Sequence, residues 1–111
     1  MKILKVSEVS ISDNPHKVDS RKIYDHESAQ AVHITLHPGT GLKPHITPVD
    51  VFFYILEGSP TVMIGEERVV VERDSLVESP KNILHSLYNE TDKLARILVV
   101  KAPKPTSPTR F

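Results

Sequence analysis

The chain has 111 residues, with 14 basic and 14 acidic side chains, 39% hydrophobic residues and no cysteine. That length builds about one small domain with a single core, and the balanced charge supplies no field to draw the chain to nucleic acid or an acidic membrane surface. Without cysteine there are no disulfides, thiolate metal sites or cysteine nucleophiles; with no signal segment and no apolar run able to span a bilayer, the expected location is cytoplasmic.

Met1 to Val9 alternates apolar and polar residues, with Ile3, Leu4, Val6 and Val9 as the apolar positions, and is expected to form an edge strand. Ser12-Asp13-Asn14-Pro15 is turn chemistry, because Asn and Asp hydrogen-bond to nearby backbone and proline fixes its own φ. Arg21 to Asp25 is a short strand, and Asp25 to Ser28 a polar turn. Gln30 to His37 alternates cleanly, placing Val32, Ile34 and Leu36 on one face and Ala31, His33, Thr35 and His37 on the other. Pro38-Gly39-Thr40-Gly41 breaks that strand.

The stretch from Gly39 to Gly58 organises the rest: a turn, a short polar run holding His45, then the continuous apolar run Val51 to Leu56. Such a run suits a strand buried on both faces. Thr61 to Ile64 and Arg68 to Val71 form a hairpin around Gly65-Glu66-Glu67. Leu76-Val77 begins another strand, Pro80-Lys81-Asn82 turns the chain, and His85 to Asn89 is extended. Leu94 to Lys101 is the last strand. Residues 1–101 are therefore expected to make one β-domain, and 102–111, APKPTSPTRF, a proline-rich extended or disordered tail. Short strands separated by turn signals, with no helical periodicity, predict an all-β sandwich or barrel.

Two spaced patterns frame the hairpin. The first reads Gly39, His45, Thr47, Val51, Gly58; the second reads Asp74, Pro80, Asn82, His85, Asn89. In these spacings the chain resembles the cupin family. The family's first motif is Gly, His, His, Glu, Gly, and its second is Gly, Pro, Gly, His, Asn. The resemblance implies a small jelly-roll barrel (a double-stranded β-helix), usually paired into homodimers. It also implies a divalent metal held inside the barrel by three histidines and one glutamate. The physical logic is that residues two apart in a strand share a face, so alternate side chains point inward together. Imidazole and carboxylate donors suit iron, manganese, zinc or nickel.

This chain keeps His45 and His85 but has Thr47 and Val51 where the second histidine and the glutamate belong. Alternation turns His45, Thr47, Val49, Val51, Phe53 and Ile55 inward and Asp50 and Tyr54 outward. A third metal donor would have to be recruited, either His33 from a neighbouring strand or Asp50 through a bulge that shifts the phase. His16 and His26 lie in turns and are expected to be solvated.

The favoured expectation is a small organic ligand held in the barrel against His45, Thr47, Val51, Phe53 and His85, without need of a metal. The alternative is a metal-dependent enzyme of oxygenase or isomerase type, using His45 and His85 with the recruited third ligand. A third is metal-free general-base catalysis by His45 or His85.

Overall fold

The computed structural model describes all 111 residues. Nine strands carry the chain: β1 (Asp19–His26), β2 (Ala29–Leu36), β3 (His45–Ile46), β4 (Val51–Glu57), β5 (Thr61–Ile64), β6 (Glu67–Val70), β7 (Leu76–Ser79), β8 (Leu84–Tyr88) and β9 (Ala95–Lys101). All pairings are antiparallel. They form a five-stranded sheet in the order β1-β2-β9-β4-β7 and a four-stranded sheet in the order β3-β8-β5-β6. The chain thus crosses repeatedly between two facing sheets, the double-stranded β-helix expected from its motifs. No helix is long and apolar enough to cross a membrane.

The core lies between the sheets. Ile34 and Leu36 of β2, Val51, Phe53 and Ile55 of β4, and Ile97 and Val99 of β9 meet Val62 and Leu87 from the other sheet. Register explains the layering: Val32 stands opposite Val99, which stands opposite Phe53, and Ile34 aligns in the same way with Ile97 and Ile55. Residues directly opposite one another share a face, so each row contributes one layer of apolar side chains.

Two local expectations are corrected. Met1 to Val9 is not a strand; its only regular element is a 3-10 turn at Val6–Glu8. Its backbone–backbone hydrogen bonds are local, from the Glu8 N–H to the Lys5 carbonyl and from the Val9 N–H to the Val6 carbonyl, and its Val6 carbonyl also accepts from the Arg21 guanidinium at 3.0 Å. Ile3 is 79% exposed, so the apolar alternation there reflects neither burial nor strand pairing. The run Val51 to Leu56 is not buried on both faces either. Val51, Phe53 and Ile55 are buried, whereas Phe52, Tyr54 and Leu56 are half-buried, because no second layer covers the outer face of this antiparallel sheet.

The turns that aim the strands use residues able to take positive φ. Asp74 and Asn82 stand where the resembled motif has glycine, with φ of 63° and 64°. Asp and Asn are among the non-glycine residues that tolerate this region best. The C-terminal residues bend back to the barrel, where Arg110 and Ile46 exchange backbone hydrogen bonds of 2.7 and 2.9 Å.

Candidate functional site

His45 on β3 and His85 on β8 are direct cross-strand partners. Both rings point inward, and their Nε2 atoms lie 3.1 Å apart. The backbone assigns the tautomers. A carbonyl can only accept, so His45 Nδ1, 2.7 Å from the Lys43 carbonyl, carries that ring's proton. With the ring neutral, its Nε2 is bare and accepts from His85 Nε2–H. His85 Nδ1 then accepts from the Ser79 hydroxyl at 2.6 Å. Thr47 Oγ1 lies 3.2 Å from His85 Nε2 and shares the same N–H. A directed chain of hydrogen bonds therefore runs from Ser79 through His85 and His45 to the Lys43 carbonyl.

Neutrality follows from the surroundings. Burial first, then His45 and Lys101, push His85 down to about 4. Burial likewise lowers His45, partly opposed by its bond to the Lys43 carbonyl. These rings face a cavity of about 380 Å³ between the sheets. All five residues expected to line the barrel, His45, Thr47, Val51, Phe53 and His85, border it. Phe53 is buried against the His85 ring, with centroids 5.3 Å apart and planes at 67°.

Among the other residues lining the cavity, three bear on its chemistry and were not placed there by sequence reasoning. His16 is half-buried, not solvated in its turn as expected. Its Nδ1 accepts the Lys43 N–H at 2.8 Å, and its ring lies 5.0 Å from that of His45. Burial, and then His45, bring it to about 4. No local signal marks this contact, which joins residues 27 apart. Phe111 closes over the same rings, with centroids 5.5 Å from His16 and 5.7 Å from His45. Lys101, also at the cavity, was legible: it continues the inward phase of Ala95, Ile97 and Val99 along β9.

The two residues considered as a recruited metal donor do not join the pair. His33 faces the other side of β2, where its Nε2 accepts from Arg96 Nε at 3.2 Å. Its Nδ1 has no partner. The Asp50 carboxylate is turned outward and accepts the Lys81 N–H at 3.0 Å; no bulge brings it in. No group of three His, Cys, Asp or Glu side chains able to hold a metal ion forms anywhere in the chain. His45 and His85 share a proton, His16 Nδ1 is engaged by the Lys43 N–H, and the three do not converge as ligands, so with one threonine hydroxyl they do not make the donor set of a resident four-ligand ion.

Comparison with known proteins agrees with this fold. A family model described as "Cupin domain" matches residues 32–101. The chain is 31% identical over 77 residues to the tetracenomycin polyketide synthase protein TcmJ of Streptomyces glaucescens, covering 68% of this chain and 52% of that protein. It thus spans about half the length of that curated relative. Among solved structures, the protein TT1209 from Thermus thermophilus superposes with a TM-score of 0.81 at 29% identity, over 95% of this chain and 100% of that one. The polyketide cyclase RemF from Streptomyces resistomycificus superposes with a TM-score of 0.85 at 21% identity, over 99% of this chain and 84% of that one, a likeness of fold.

Proposed function

The chain belongs to the cupin domain family, and on that premise we propose that its barrel cavity binds a small organic molecule between the His45–His85 pair and the apolar wall of Val51 and Phe53. The observation that carries this reading is the cavity of about 380 Å³ itself. It falls in the size range of small-molecule sites, and it combines apolar walls with a few convergent polar groups. The likeness to TcmJ, a polyketide synthase protein, supports a polyketide-like ligand. A ligand oxygen would then accept from the Thr47 hydroxyl and compete with His45 Nε2 for the His85 Nε2–H.

The test is direct. Titration with small phenols and diketones, followed by NMR, is expected to shift the ring signals of His45, His85 and Phe53 together. Shifts confined to the outer sheet faces would overturn the reading.

A metal-dependent reading is favoured by one observation: the 3.1 Å between the two Nε2 atoms is near the roughly 3.3 Å that two imidazoles on one tetrahedral ion would show. Elemental analysis of untagged protein decides between the two. We expect well under one transition-metal ion per chain, removable by mild chelator; one tightly held ion lost on His45→Ala would establish the metal enzyme instead.

On the same reading the chain pairs with a second copy. The half-buried outer face of β4 and the exposed Val69, Val70 and Leu76 on the edge strands support this. Sedimentation equilibrium is expected to give twice the chain mass.

A further inference from the structure

The cavity contains one positive charge and nothing to balance it. Along β9, Ala95, Ile97 and Val99 are buried and face the core, and Lys101 is the next residue in that phase. Its neighbours across the sheet are Gln30 on β2 and Val51 on β4. A lysine near a strand end ordinarily carries its ammonium out to water. Here the phase of the strand brings it to the wall of the cavity.

No acceptor meets it there. The molecule's five ion pairs involve other cations. Asp25, a carboxylate near the end of β1, is already engaged by Lys104 at 2.8 Å and by Lys22 at 3.9 Å. No aspartate or glutamate lines the cavity. Its other ionisable groups are His16, His45 and His85, all held toward the neutral form. The side chains of Ser20 and Thr109 add two hydroxyls to the border of the space. Val32, Ile34, Phe53 and Val99, on the same sheet as Lys101, supply apolar lining beside it.

We propose that the cavity selects an organic monoanion, an aryl or alkyl carboxylate whose oxygens meet Lys101 while its apolar body lies against Phe53 and Val99. The inference rests on the cavity being the binding site, and adds the charge of what it binds. An ammonium half-removed from water is costly to leave unpaired, and a carboxylate brought to it forms a charge-assisted hydrogen bond. Burial, followed by the charge of Lys22, holds Lys101 below the usual lysine value, in keeping with an ammonium that has lost water and gained no partner. A dication has no carboxylate to meet here, and a neutral molecule would leave the ammonium unanswered.

Calorimetric titration with paired probes tests this: benzoate against benzamide, and 1-naphthoate against 1-naphthamide. Each pair keeps shape and changes charge. The 111-residue chain is expected to bind the acids about tenfold to a hundredfold tighter than the amides, the range of a hydrogen bond to a charged group. Lys101→Met, which keeps the aliphatic stem, is expected to erase that preference, while Lys101→Arg retains it. Should Lys101→Met fail to fold, a shift of the Lys101 Nζ NMR signal on adding naphthoate to the unmodified protein serves in its place. Equal binding of acid and amide, or a preference that survives Lys101→Met, overturns the anion inference and leaves the cavity reading standing. If none of the four probes binds, the cavity reading fails as well.

Discussion

His85 is 2% exposed and titrates at about 4, against 6.5 for a free imidazole. The sign of the consequence follows from which state takes up the proton first. As the pH falls below 6.5, the unfolded chain protonates this ring while the folded chain does not, so the stability present above pH 6.5 is lost on the way down to about 4. The displacement corresponds to roughly 3 kcal/mol for this group, as an order of magnitude. His85→Gln is expected to flatten that part of the profile; urea midpoints between about pH 7.5 and 4 measure it, and identical pH slopes in the two proteins would refute the assignment. Ser79→Ala isolates the other end of the chain of hydrogen bonds. It leaves His85 Nδ1 bare and buried and is expected to cost about 1–3 kcal/mol, read from the same midpoints at neutral pH. The His45–His85 pair was legible in the sequence because motif spacing and strand alternation both direct these rings inward. His16 was not legible, since nothing in its own turn announces the Lys43 N–H that it accepts from a distant segment.

Strand phase was the most readable property of the elements, and turns the next. β4 and β9 follow period-two patterning because one face of each packs on the core, whereas β2 also buries Ala31 and His33 on its other face. The N-terminal stretch imitated the pattern without a partner to pair with, so its first residues meet solvent. The turn after β7 shows how an element positions the site. Asn82 sits at φ 64°, and its N–H donates to the Thr47 carbonyl at 2.9 Å, fixing the residue whose hydroxyl lies beside His85. Alanine at this φ costs about 1 kcal/mol more than a residue suited to it, whereas glycine enters without steric penalty. Asn82→Ala is therefore expected to lower stability by about 1 kcal/mol and Asn82→Gly to be near neutral. Thermal melts of the two variants check this; equal losses would mean that the Asn82 side chain, not its backbone conformation, holds the turn.

At the scale of the whole molecule, two distant segments of the chain meet over one opening. The turn holding His16 precedes the first strand, the segment holding Arg110 and Phe111 follows the last, and the rings of His16 and Phe111 both lie against His45. Residue types in the tail could not reveal this. A proline-rich polar segment reads as extended from its composition, but where an extended segment docks depends on which edge is open to it. Here the open edge is β3, a strand of two residues at the margin of its sheet. The Ile46 N–H donates to the Arg110 carbonyl at 2.7 Å, so its exchange with solvent reports on the tail alone. Removing residues 108–111 is expected to speed hydrogen exchange at Ile46 strongly, while core amides such as that of Ile97 keep their protection. The loss of stability should be small, about 1–3 kcal/mol for two backbone hydrogen bonds and one half-open aromatic contact. Because Phe111 covers the His45 side of the cavity, the same truncation is expected to raise ligand association and dissociation rates together. Unchanged exchange at Ile46 would mean that the tail does not hold this position in solution, and that the cavity is open to water on that side.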